Sequence, residues 1–258
     1  MDKKYFFFDI DGTLAENGVI PNSAKLALKK LRENGHFTAI ATGRGSSTAC
    51  QYLDQFEFDN MVCDGGNGIV INRELISVTP LDKDLVIKVS KECEEKNIPW
   101  AYTPSNTDKF RITRHPEFNN SLNPHWTDYK FDYVPDCDPS KEDGVYKMFI
   151  SIKPGEEEKI ESLKQAPWIR FTDSPFIFIE PMNKSVGIKK MVDYLGGNYS
   201  DVVVFGDEKN DYSMFIDEWM CIAMGNAIEG LKQKANYVTT SIHEDGIYNA
   251  CKHFGWID

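Results

Sequence analysis

Near the start of the chain, Tyr5 to Ile10 forms a short, mainly apolar run that meets turn residues at Asp11-Gly12. This is the pattern of a strand buried on both faces, as in a parallel sheet. In "PNSAKLALKKLRENG" the spacing becomes helical. Ala24, Ala27, Leu28 and Leu31 share a face, Asn22 or Ser23 can cap the start, and Gly35 stops the helix. Phe37 to Ala41 then reads as a second strand, broken at Thr42-Gly43, which completes a βαβ unit. The same order returns near the C-terminus. Ile188, Met191, Val192 and Leu195 mark a helix face before the apolar strand Val202 to Phe205, which ends in Gly206-Asp207. Helical stretches are predicted near Asp211 to Ile216, Ala227 to Ala235 and Asp245 to Phe254, with "MCIAM" and "NYV" as short strands between them. Such alternation implies an α/β core built on a doubly wound parallel sheet.

The middle of the chain has a different pattern. After a hairpin predicted around Ile69 to Val78 comes one helix with Leu85, Val86, Val89 and Cys93 on one face. From Pro99 to Ser140 the periodicity fades among Pro, Asn, Asp and aromatic residues. "VYKMFISIK", "EEEKIESLKQ", "WIRFT" and "FIFIE" then predict strand, helix, strand and strand, with Asp173-Ser174-Pro175 as a turn. The expectation is an α+β insertion over residues 81–182, carried on a core formed by residues 1–80 and 183–258.

At 258 residues the chain can bury a sizeable core, and its formal net charge of −11 disfavours nucleic acid and anionic membrane surfaces as partners. Small soluble partners are expected, and the chain itself is expected to be a monomer or a weak homodimer. Cys50, Cys63, Cys93, Cys137, Cys221 and Cys251 are scattered, without CxxC or Cys/His zinc spacing. They read as reduced thiols of a cytoplasmic protein. The N-terminal residues lack the features of a signal peptide, and no apolar run approaches the roughly 20 residues that span a bilayer.

In open α/β sheets ligands bind outside the carboxyl ends of the strands. Three such ends carry polar signatures: Asp9-Ile10-Asp11-Gly12-Thr13, Thr42-Gly43-Arg44, and Gly206-Asp207 with Asn210-Asp211. Asp9, Asp11 and Asp207 brought together would repel one another unless a cation intervened. Mg²⁺ suits them, because it takes a few carboxylates while keeping waters and a substrate phosphate. Thr42 offers a hydroxyl, with backbone donors beside it, at a strand-to-helix turn. Asn210 can add a neutral donor and Lys184 a compact positive charge. One carboxylate can then act as nucleophile and the other as acid and base. An EF-hand is excluded because Leu14 stands where its loop needs glycine, and Thr48 breaks a GxGxxG reading of Gly43-Arg44-Gly45. The histidines lack metal spacing. The basic group Lys109, Arg111, Arg114 and His115 reads as a solvated face before it reads as a site for an anionic substrate.

In order and spacing, "FFFDIDGTL", "IATGR", the lysine of "NKSVGI" and "VFGDEKND" resemble the four motifs of the haloacid dehalogenase superfamily phosphatases. "DGGNGIVI" and "AMGNAIEGLKQKANYVTTSIHEDGI" resemble its Cof-type branch, with a large (IIB) cap between the second and third motifs. The resemblance covers residues 4–80 and 183–258, and is architectural only in between. It implies a Rossmann-like doubly wound core with an inserted α+β cap that closes over the site and selects the substrate. Asp9 would be the nucleophile and Asp11 the acid and base. Thr42, Gly43, Lys184 and Asn210 would bind phosphate. Asp9, Asp207 and Asp11, the last through its carbonyl, would hold Mg²⁺. Ser185 stands where many relatives have glycine after the lysine. The expected activity is Mg²⁺-dependent hydrolysis of small phosphorylated metabolites, sugar phosphates foremost, through an aspartyl-phosphate. The alternatives are a phosphomutase and a phospho-aspartate signalling module.

Overall fold

The computed structural model describes residues 2–105, 110–118, 130–170 and 174–258, without the side chains of residues 47 and 48. Its strands in chain order are β1 (Tyr5–Phe8), β2 (Phe37–Ala41), β3 (Met61–Cys63), β4 (Gly68–Ile71), β5 (Glu74–Val78), β6 (Trp100–Thr103), β7 (Ile112–Thr113), β8 (Asp132–Tyr133), β9 (Lys147–Ile150), β10 (Trp168–Ile169), β11 (Ile177–Ile179), β12 (Val202–Gly206), β13 (Met220–Ala223) and β14 (Tyr237–Val238). The helices are α1 (Asn22–Glu33), α2 (Ser46–Gln55), α3 (Lys83–Glu95), α4 (Lys184–Tyr194), α5 (Glu229–Lys234) and α6 (Gly246–His253). They partition into two compact units, one of Met1–Arg44, Ala49–Ser77 and Asn183–Asp258, the other of Gly45–Thr48 and Val78–Met182.

The sheet of the first unit has the order β14-β13-β12-β1-β2-β3-β4-β5. β1 lies inside it, parallel to both β2 and β12, so its side chains are covered on two faces, as its unbroken apolar run requires. Phe6 and Phe8 enter a core with α1, α6 and Trp256, while Tyr5 and Phe7 enter the opposite core with Ile188, Met191 and Val192 of α4. The period-two alternation thus gives each layer its own hydrophobic stripe. Pairing of β1 with β12 brings Phe8 level with Phe205 and so sets the residues after both strands at one edge. The predicted hairpin around Ile69 to Val78 is β4 and β5, neighbours in this sheet, joined by a turn at Asn72-Arg73, both with positive φ.

The second unit holds a sheet of order β10-β11-β9-β6-β7-β8, antiparallel except between β7 and β8. One face packs Trp100, Tyr102, Met148 and Ile150 with Val86, Val89 and Cys93 of α3; the other carries Phe118, Phe131, Phe149, Phe176 and Phe178.

Three predicted helices differ in the structure. "EEEKIESLKQ" forms two short 3₁₀ segments, Glu157–Lys159 and Glu161–Gln165, separated by Ile160 in an extended conformation. Ile160 is buried, and the Glu92 carboxylate accepts from Glu161 N and Ser162 N at 2.6 and 2.9 Å. Tertiary contacts have replaced the local helical bonds. The stretch after Asp207 is likewise a 3₁₀ segment, Lys209–Met214, started by a capping box of Glu208 and Asp211. The predicted helix from Ala227 is reduced to α5, because Ile228 is extended. Asp173 of the expected turn lies outside the described residues.

Candidate active site

β1 delivers Asp9 to the sheet edge, where its N–H donates to Phe205 O at 3.1 Å. β12 delivers Asp207, and the 3₁₀ turn that follows delivers Asp211. The ligand atoms of Asp9, Asp207 and Asp211 all lie within 4.8 Å of one another. Lys184, at the start of α4, is 1% exposed and donates through Nζ to Asp9 Oδ1 and Asp211 Oδ1, both at 2.6 Å. Asp211 uses its other oxygen to accept from Asp207 N at 2.8 Å and Glu208 N at 3.1 Å. The turn is therefore folded around its own carboxylate. Thr13 Oγ1 donates to Asp207 Oδ1 at 2.8 Å, and Asn226 Nδ2 donates to Gly12 O at 2.8 Å. Gly12 has φ +83°, and a Cβ there would stand 2.1 Å from Asp207 Oδ2. Glycine is required on both counts.

The charges do not balance from protein alone. Three clustered carboxylates face one ammonium, so burial, with Asp211 beside it, pushes Asp9 up to about 8 against the pull of Lys184. Burial also pushes Asp207 up to about 7; the Thr13 hydrogen bond opposes this while Asp211 and Glu208 add to it. Burial works against the charge on Lys184, but Asp211 and Asp9 outweigh it and hold its pKa above the ordinary lysine value. Asn210 Oδ1 is buried without a hydrogen-bond partner among the described residues. A hard divalent cation with oxygen ligands fits this donor set and would neutralise the excess.

β2, paired with β1, leads into two of the other residues named from the sequence, Thr42 and Gly43. Thr42 is buried at the end of β2; its N–H donates to Val62 O at 2.9 Å, and its Oγ1 accepts from Arg44 N at 3.1 Å. Its amide is thus already engaged, leaving the hydroxyl as its means of reaching a ligand. Gly43 follows it. The Asp11 side chain is not with the three gathered carboxylates: it is 65% exposed and accepts from Arg44 Nη2 at 2.7 Å. Sequence reasoning gave no role to Asp211, Arg44, Thr13 or Asn226. The spacing of "GDEKND", four residues from Asp207 to Asp211, was the available signal for the first. In the basic group of the second unit, Arg114 donates to Cys137 O and lies over Trp100, while His115 Nε2, 3.4 Å from Glu94, makes no hydrogen bond among the described residues. Lys109 lies outside the described residues.

The sequence profile of the haloacid dehalogenase-like hydrolases matches residues 6–251. YkrA of Bacillus subtilis (strain 168), provisionally named a phosphatase, is 28% identical over 259 residues, covering 99% of this chain and 99% of YkrA. YitU of the same organism, named a 5-amino-6-(5-phospho-D-ribitylamino)uracil phosphatase, is 26% identical over 260 residues, covering 95% of each chain. A solved structure described as a subclass IIB sugar phosphatase of the HAD superfamily matches with a TM-score of 0.78 at 28% identity, covering 99% of this chain and 100% of its own.

Proposed function

The chain belongs to the haloacid dehalogenase-like hydrolases, and from that membership we propose that it is a phosphatase acting on phosphate monoesters of small metabolites, with sugar phosphates the favoured class. The observation that carries this reading is the Asp9 carboxylate, buried at the end of β1, 2.6 Å from the Lys184 ammonium and grouped with Asp207 and Asp211. The relatives support the substrate class: one is described as a sugar phosphatase, another is named for a phosphorylated ribityl compound.

In the first displacement an Asp9 oxygen bonds phosphorus, and the ester P–O bond breaks with its electron pair passing to the leaving oxygen. Asp11 gives that oxygen its proton. In the second, a water oxygen bonds phosphorus and loses a proton to Asp11, while the bond from phosphorus to Asp9 breaks and the carboxylate is restored. Thr42, Gly43, Lys184 and Asn210 hold the phosphoryl oxygens. Asp9, Asp207 and the Asp11 carbonyl would hold Mg²⁺, with Asp211 supporting the cluster; when bound, the ion supplies charge neutralisation at the phosphoryl group. Segment 81–182 is the substrate-selecting cap in this reading. A cytoplasmic location belongs to it as well, supported by six cysteines that are not paired in disulfides.

Phosphate release over a panel of sugar phosphates, nucleotides and phosphorylated cofactors tests the proposal, with Mg²⁺, with chelator, and with Asp9→Asn. Turnover that needs both the ion and the Asp9 carboxylate is the expected result. Activity that survives chelator and Asp9→Asn would remove the basis of the mechanism.

A further inference from the structure

Asp11, the acid and base of the mechanism proposed above, sits on backbone fastened from several directions. Leu14 N donates to Asp9 O at 3.2 Å, Ala15 N to Ile10 O at 2.8 Å and Gly12 N to Ala15 O at 2.9 Å. Asn226 holds the Gly12 carbonyl, and Thr13 is tied to Asp207. The Asp11 carboxylate is in a different situation. It is 65% exposed, and the hydrogen bond it accepts comes from Arg44 Nη2 at 2.7 Å. Arg44 is itself well anchored: its guanidinium lies 5.1 Å from the Tyr52 ring centroid, its N–H donates to Thr42 Oγ1, and its carbonyl accepts from Asp64 N at 2.8 Å. A rigid backbone thus carries a carboxylate whose rotamer is decided by a guanidinium fixed at the next strand end.

We propose that Arg44 is a positioning residue for Asp11, setting the direction in which this carboxyl delivers and later receives its proton. The inference rests on the phosphatase reading. An ion pair this exposed adds little to folding stability, so its removal acts on the chemistry more than on the fold. Its planar fork fixes the orientation of a carboxylate in a way that a lysine ammonium does not.

The dependence on proton delivery varies with the leaving group. An alkoxide needs the proton as the ester bond breaks, whereas p-nitrophenolate departs without it. The test compares wild type, Arg44→Gln and Arg44→Lys on the best alkyl phosphate of the panel and on p-nitrophenyl phosphate, with thermal unfolding to verify the fold. For Arg44→Gln, kcat/KM should fall on the order of 10- to 100-fold on the alkyl phosphate, below the full contribution of a general acid. On p-nitrophenyl phosphate it should stay within about threefold, because that first displacement needs little acid catalysis. Acid quenching should then trap more aspartyl-phosphate, since the second displacement also relies on Asp11. Arg44→Lys should fall between the two. An equal loss on both substrates would overturn the proposal by showing that Arg44 serves the phosphoryl group or the fold. No loss on either would show that Asp11 needs no positioning. Wild type inactive on both substrates would instead defeat the phosphatase reading.

Discussion

Lys184 is a cation taken out of water to meet two acids, and removing it leaves those acids facing each other in a buried place. Deleting one partner of a buried pair costs about 3–5 kcal/mol, because the charge left behind is uncompensated. Lys184→Met is therefore expected to lower the unfolding free energy of the chelated protein by that amount, read as a lower denaturant midpoint at unchanged m, and an unchanged midpoint would contradict the electrostatic account. Asp9→Asn should behave in the opposite way. Without a cation, burial already pushes Asp9 up to about 8, so a neutral amide asks little of the fold at neutral pH. Unfolding of the chelated variant should match wild type within about 1 kcal/mol, the usual range for a near-isosteric change, while turnover falls by several orders of magnitude. Asp211, fully buried and bonded to Lys184 and two backbone amides, is as central as either.

At the scale of elements, the loop after β1 is the part that tolerates least. Gly12→Ala would set a Cβ 2.1 Å from Asp207 Oδ2 at a φ of +83°, so Asp207 must move. The expected outcome is a large loss of Mg²⁺ affinity measured by calorimetry, with the fold retained by circular dichroism; unaltered affinity would show that Asp207 is not a ligand. In the second unit, Glu92 on α3 shows how an element can be overruled. Burial opposes its charge, but Lys96, the Ser162 hydroxyl and amide and the Glu161 amide hold it down to about 2, from an ordinary 4.5. A depressed carboxylate contributes stability that is full above the unfolded pKa and is lost as pH falls from about 4.5 through about 2. Glu92→Gln should flatten the acid limb of the stability profile, and a variant as acid-sensitive as wild type would deny the contact its role. The same hydrogen bonds explain why the apolar spacing of "EEEKIESLKQ" did not yield a helix. By contrast α1, whose stripe Ala24, Ala27, Leu28 and Leu31 is buried as its spacing predicts, keeps its helix from Asn22 to Glu33.

For the whole molecule, the proposed ion binding is linked to stability. Asp9 and Asp207 have pKa values of about 8 and 7, raised above the unfolded 3.8, so the folded chelated protein binds more protons than the unfolded chain. Its stability should fall as pH rises from about 4 to about 8, and saturating Mg²⁺ should flatten that fall and add about 2.7 kcal/mol at a hundredfold excess over Kd. Thermal scans across pH with and without the ion check both the sign and the size; a chelated protein that gains stability over that range would contradict them. The sequence by itself determined the alternating core and the strand ends that carry polar residues, because periodicity and turn chemistry are written among neighbours in the chain. Which carboxylates turn inward is another matter. Lys184 reaches Asp9 across 175 residues and Thr13 reaches Asp207 across 194. Asp211 was drawn into the cluster and the Asp11 side chain left outside it. Only the tertiary structure decided this, since burial and the competition for one buried ammonium exist only once β1, β12 and α4 are packed together.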